Sequence, residues 1–182
     1  MVFDFNNIKL IIALGNIGAE YTHTRHNVGF LFVEKWVGNE NFKLNPKLKC
    51  YIKQIFTREE YKYIALPNTM MNLSGDCVAS LMNFYKFDLK QILIIHDDLD
   101  IKLGNFILNF GKGPKSHNGI LDIENKLKSK AFWRLRIGIE NRNDELRKNI
   151  PGKDYVLSRF DKDEINILDK VFNDIIETHL LL

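Results

Sequence analysis

Apolar positions along this chain follow two rhythms. Residues 8–14 are apolar except for Lys9, and so short an unbroken run predicts a strand buried on both faces. Residues 91–95 repeat the pattern, and the polar run His96-Asp97-Asp98 is expected to end that second strand. Residues 51–56 and 61–66 read as two more strands around the charged turn Arg58-Glu59-Glu60, with Pro67 closing the second. Alternation predicts strands over 105–110 and over 133–139, where Leu135, Ile137 and Ile139 share one face. The other rhythm is helical. It places helices over 28–36 (Val28, Leu31, Phe32, Trp36), over 73–85 (Val78, Leu81, Met82, Tyr85) and over 117–128. The last helix has the clearest start: Asp161 and Glu164 have capping-box spacing, and Ile165, Leu168, Phe172, Ile175 and His179 follow at helical steps. Residues 140–152 are polar, contain Gly, Pro and Asn, and are expected to form a mobile loop. Strands alternating with helices, with one antiparallel-looking pair, predict an α/β fold: a single domain over residues 1–182, with a twisted mixed β-sheet sandwiched between α-helices.

Composition narrows the class without deciding it. The chain has 182 residues, 45% hydrophobic and 27% charged, with a formal net charge of +3. That length buries a core without staples. The mild positive charge permits a nucleic-acid partner but does not argue for one. Cys50 and Cys77 are too few for a disulfide framework and lack metal-ligand spacing. No signal-peptide pattern opens the chain and no apolar run is long enough to cross a bilayer. A cytoplasmic protein with no membrane partner is the default expectation.

The chemistry concentrates after the predicted strands. Residues 14–29 read Leu-Gly-Asn-Ile-Gly-Ala-Glu-Tyr-Thr-His-Thr-Arg-His-Asn-Val-Gly. Open α/β sheets place ligands at the carboxyl edge of their strands. His26 suits general-base work if a carboxylate fixes its tautomer, and Asp97, at the end of another strand, is the candidate. The plainer account makes His26 a helix-entry residue with one backbone hydrogen bond. Asn16, Asn72 and Asn118 sit at strand-to-helix transitions, where amides orient substrate or stabilise an oxyanion. Each has a local alternative: a tight turn for Asn16, a helix N-cap for Asn72, a first-turn residue for Asn118. The carboxylates of residues 96–100 could hold a hard cation, but strand alternation sends Asp97 and Asp98 to opposite sides, so no metal site is expected. Gly15-Asn16-Ile17-Gly18 lacks both the dinucleotide glycine pattern and a Walker lysine. Lys112, Lys115, Arg134, Arg136, Arg142, Arg147 and Lys148 cluster in the second half. Phosphate neutralisation or a solvated surface would each explain them.

These motifs resemble the bacterial peptidyl-tRNA hydrolase family. The family block Leu-Gly-Asn-Pro-Gly, Tyr, Thr-Arg-His-Asn-x-Gly is matched at Leu14, Gly15, Asn16, Gly18, Tyr21, Thr24, Arg25, His26, Asn27 and Gly29, with Ile17 in place of Pro. Pro67-Asn68-Thr69-Met70-Met71-Asn72-Leu73-Ser74-Gly75, His96 to Asp100 and His117-Asn118-Gly119 match three further blocks in order. The resemblance implies hydrolysis of the ester between a peptide and the 3′-terminal ribose of tRNA, without a cofactor, by a protein expected to be monomeric. It implies catalytic roles for His26, Asp97 and Asn118, and a substrate cleft containing Asn16, Tyr21, Met71, Asn72 and His117. It also implies a tRNA grip by Arg136, with Lys112 and Lys115 close by in sequence. Two departures stand out. The Gly-rich lid of the family is here Gly111-Lys112-Gly113-Pro114-Lys115-Ser116, and Asn109 occupies the place of a phosphate-gripping Lys, for which Lys112 is a candidate substitute. Some relatives of the family are RNA-binding factors without hydrolase activity, which keeps a non-catalytic RNA-binding alternative open.

Overall fold

The computed structural model describes residues 2–57 and 60–180. Among them, seven strands form one sheet in the order β2-β3-β4-β1-β5-β7-β6. The strands are β1 (Leu10–Ala13), β2 (Lys43–Asn45), β3 (Cys50–Thr57), β4 (Glu60–Pro67), β5 (Ile92–Lys102), β6 (Phe106–Phe110) and β7 (Trp133–Glu140). The middle four, β4-β1-β5-β7, are parallel. The outer strands β2, β3 and β6 pair antiparallel. Of the expected turn at residues 58–60, Arg58 and Glu59 lie outside the described residues.

Alternation along the central strands builds two cores. Ile11 and Ala13 of β1, with Leu93 and Ile95 of β5, pack towards α1 (Val28–Val37) and α6 (Lys162–His179). Leu10 and Ile12, with Ile92 and Ile94, pack towards α2 (Ser74–Tyr85) and α3 (Asn118–Leu127). Every residue of β1 is fully buried, as a strand covered by helices on both sides requires. The sandwich is the predicted one.

Three elements differ from expectation. β5 continues through His96-Asp97-Asp98 to Lys102, because β7 still supplies a ladder there (Asp97 opposite Ile137, Asp98 opposite Gly138) after β1 has ended opposite Ile95. Residues 140–152 hold a helix, α4 (Asp144–Asn149), capped by Asn143, whose side chain accepts from the Leu146 N–H at 2.9 Å. None of its residues is buried, so it carries no apolar rhythm, and its acids lead and its bases trail in keeping with the helix dipole. The short edge strand β2 is almost wholly exposed and shows no alternation to read. A further short helix, α5 (Gly152–Tyr155), follows α4.

The continuation of β5 past β1 leaves Asp97 beside an open notch, and the chain leaving β1 fills it. There α1 packs very closely: a Cβ on Gly29 would lie 2.7 Å from the Leu14 carbonyl oxygen and 3.0 Å from that of Ile95. Glycine at this position lets the helix start sit directly on the strand ends.

Candidate active site

A 3-10 turn at Arg25–Asn27 carries His26 into the notch. Its backbone is held from outside: Arg25 N–H donates to the Ser158 carbonyl (3.0 Å) and His26 N–H to the Val156 carbonyl (2.8 Å). The Arg25 side chain is committed to the interior. Its guanidinium donates to Glu164 Oε2 at 2.7 Å and to Ser158 Oγ at 3.1 Å, and stacks over Tyr155 and Phe160. Glu164 Oε2 also accepts the Asp161 N–H, completing the capping box of α6, and Oε1 accepts from Asn141 Nδ2. One carboxylate thus ties the start of α6, the end of β7 and the turn bearing His26.

Asp97 Oδ1 lies 2.8 Å from His26 Nδ1 and 2.8 Å from His117 Nε2. His117 is the N-cap of α3, and its Nδ1 accepts the Ile120 N–H at 3.3 Å. That bond puts the His117 proton on Nε2, where it is donated to Asp97. His26 likewise donates from Nδ1, which leaves its Nε2 as the site with a free lone pair. His96 donates from Nδ1 to the Asp97 carbonyl at 2.7 Å, and its buried Nε2 has no partner among the described residues. The electrostatics follow from this packing. Burial disfavours the charged form of His26, yet the charge and hydrogen bond of Asp97 together outweigh it and raise the pKa above 6.5. Burial of Asp97 is likewise outweighed by its two histidines, which hold its carboxyl well below the usual carboxylate range. His96, fully buried and beside His117, is pushed well below 6.5.

Asn16 is held by a reciprocal pair. Its N–H donates to Asn27 Oδ1 (2.8 Å), and Asn27 Nδ2 donates back to the Asn16 carbonyl (3.0 Å). Asn16 Oδ1 accepts the Met71 N–H at 2.7 Å, so the chain after β1 is bound to the chain after β4 and the Asn16 amide nitrogen remains to donate. Asn72 and Asn118 are exposed. Asn72 does not cap α2, which starts at Ser74 with no side-chain cap. Asn118 opens α3, as the first-turn reading had it.

Two adjoining cavities meet at His26. One, of about 280 Å³, is lined by Asp97, Leu99, His117 and Asn118 among others. The second, of about 310 Å³, includes Asn16, Tyr21, Met71, Asn72 and Asn118. The eight residues expected at the cleft therefore come together. A third cavity of about 360 Å³ lies on the other side of Asn16, against Asn27, Phe30, Glu34 and Tyr51. It is larger but its lining holds no histidine, so the chemistry belongs to the pair that shares His26.

The expected tRNA-gripping residues line neither of those two cavities. Arg136 donates from Nε to Asp98 Oδ2 at 2.7 Å, and Gly113, at φ +64°, lies against its guanidinium where a side chain would not fit. Lys115 donates its N–H to Asp100, and Lys112 is exposed. Arg134 and Arg142 are not surface cations at all: both are buried or nearly so and paired with Glu124 and Glu140. The acids of residues 96–100 diverge, with Asp97 on the histidines, Asp98 on Arg136 and Asp100 on Lys115, and so do not assemble into a hard-cation site. His26, Asp97 and His117 do place ligand atoms within 4.8 Å of one another. An ion there would have to displace the two imidazole protons that already bridge them.

The family model described as peptidyl-tRNA hydrolase matches residues 10–182. The chain belongs to this family. A peptidyl-tRNA hydrolase from Mycoplasmopsis synoviae is 43% identical over 171 residues, covering 91% of this chain and 84% of the relative. One from Prochlorococcus marinus is 38% identical over 177 residues, covering 94% and 85%. The crystal structure of peptidyl-tRNA hydrolase from Acinetobacter baumannii superposes with a TM-score of 0.84 at 35% identity, over 94% of this chain and 86% of that one.

Within this member of the family, Asn27 and Lys153 are two of the residues at the site that had no role assigned from sequence. Asn27 stands inside the Thr-Arg-His-Asn block, and its function as the clamp on Asn16 needs the return bond to be seen. Lys153 lines both cavities but lies in a polar stretch with no motif to mark it.

Proposed function

We propose that this protein hydrolyses the ester between a peptide and the 3′-terminal ribose of tRNA, as a carboxylic ester hydrolase, with His26 as general base. The observation that carries the reading is the His26–Asp97 hydrogen bond of 2.8 Å at a site where two cavities meet. His26 Nε2 takes a proton from water, and the water attacks the ester carbonyl of the last amino acid. Asp97 holds the ring by Nδ1 and stabilises the imidazolium that forms. Asn118 and the Asn16 amide nitrogen orient the water or meet the developing oxyanion. Met71, Asn72 and Tyr21 form the wall that positions the acyl group, and His117 fixes the second lone pair of Asp97 Oδ1. As the intermediate collapses, the imidazolium returns its proton to the ribose oxygen, which leaves as a hydroxyl.

Contact with the acceptor stem falls to Arg136, Lys112 and Lys115, through phosphates and without regard to sequence. Binding should weaken steeply as salt rises. The substrate places this work in the cytoplasm, and no helix among the described residues is long and apolar enough to cross a membrane. A monomer suffices, since every group named comes from one chain. The non-catalytic alternative is disfavoured because the whole relay, from Ile120 N–H through His117 and Asp97 to His26, is assembled.

The test is release of tRNA from purified peptidyl-tRNA by the wild type beside His26→Ala. A positioned base supplies roughly 10²–10⁴-fold in rate, so the variant should lose that much turnover while still binding tRNA. Near-normal turnover would remove His26 from the mechanism.

A further inference from the structure

We infer that Lys153 binds the last phosphodiester of the tRNA, the one on O5′ of the nucleotide that carries the ester. This rests on the hydrolase reading above and assigns a residue to it. Lys153 lines both cavities that share His26 and, among the described residues, is the one lysine or arginine on either lining. The one carboxylate there is Asp97, already taken by two imidazoles. Lys153 itself is exposed and, among the described residues, makes no ion pair or side-chain hydrogen bond. Among the described residues, the cleft therefore presents a single uncommitted lysine or arginine charge.

Its position is fixed by its neighbours. Lys153 is the second residue of α5, and Tyr155 at the end of that helix is buried, donating its hydroxyl to the Ile139 carbonyl and accepting the Asn141 N–H. The next residue, Val156, accepts the His26 N–H. The lysine thus rides on a turn bolted to both β7 and the general base. On the substrate side, one ribose separates the ester oxygen from the nearest charge, the terminal phosphodiester. Every peptidyl-tRNA carries that phosphate, whatever its peptide or tRNA sequence. A lysine aimed at the peptide would instead favour particular side chains.

The test pairs the full-length enzyme with two peptidyl-tRNAs that differ only in that linkage: a natural phosphodiester, or an uncharged methylphosphonate. On the natural substrate, Lys153→Ala and Lys153→Gln should raise KM roughly two- to fivefold at low salt with kcat unchanged, as for an exposed ion pair. The loss should shrink as salt screens the contact, and Lys153→Arg should restore KM. On the methylphosphonate, wild type and variants should coincide. Equal losses on both substrates would make Lys153 structural, and no loss on the natural one would exclude the contact; either overturns the assignment alone. If the wild type leaves natural peptidyl-tRNA intact, the hydrolase reading fails and takes this assignment with it.

Discussion

A single oxygen, Asp97 Oδ1, organises the chemistry by accepting from two imidazoles. His26 therefore titrates above 6.5, and only its deprotonated form can act as base. Turnover should rise with pH through a midpoint above 6.5 and level off beyond it. Asp97→Asn removes the charge that raises this pKa and leaves burial to lower it. The acid limb of the pH–rate profile should then move to lower pH while the plateau falls by roughly 10²–10⁴-fold. An acid limb that stays in place would separate Asp97 from the base. Asn27 acts one step further back. In Asn27→Ala, the buried Asn16 N–H and carbonyl both lose their partner, at about 1–3 kcal/mol each before relaxation, and Asn16 loses its orientation. A lower thermal midpoint together with reduced kcat/KM is expected; unchanged kinetics in a destabilised variant would confine Asn27 to folding.

At the scale of elements, the His26 turn depends on how α6 begins and how closely α1 approaches the sheet. Glu164→Ala takes the partner from a buried Arg25 and opens the capping box of α6. Removing one member of a buried pair costs about 3–5 kcal/mol, read as a shift in urea midpoint. Gly29→Ala forces a methyl group against two strand carbonyls. Overpacking of this kind costs about 1–3 kcal/mol and should lower turnover by displacing the His26 turn; a fully active, fully stable Gly29→Ala would show that α1 can move freely. The same elements show why the strand prediction at residues 91–95 stopped early. Polar residues at 96–98 look like a strand end, but the ladder with β7 persists, and alternation is what turns Asp97 to the histidines and Asp98 to Arg136.

For the whole molecule, acid is the expected weakness. His96 is depressed well below 6.5 by burial, so it contributes stability that is complete above 6.5 and declines as pH falls below that value. Asp97, Glu164 and Glu140 are all depressed against the opposing effect of burial, by their histidine or arginine partners and hydrogen bonds. Their contribution is complete above the ordinary carboxylate range, about 4, and is lost as pH drops through their lower folded values. His26 runs the other way: its raised pKa favours the fold below 6.5 and that share fades as pH rises past the folded value. Urea midpoints should therefore fall as pH drops from 6.5 to 3, most steeply below about pH 4, where the unfolded chain takes up protons that the three buried, paired carboxylates resist. A flat profile would contradict these assignments.

Local pattern alone determined the layered α/β sandwich and the capped last helix, because buried strands, helical faces and capping boxes are written within a few neighbouring positions; the cleft residues were legible through the family motifs rather than through local pattern. Tertiary structure decided what those residues do to one another. The Asp97–His117 bond, the Asn16–Asn27 clamp and the burial of Arg25 and Arg134 against Glu164 and Glu124 join positions from separate elements, and no local rhythm records which partner a polar side chain meets. The helix at residues 144–149 and the placement of Lys153 belong with them: both are solvent-facing, so hydrophobic patterning leaves no trace of either.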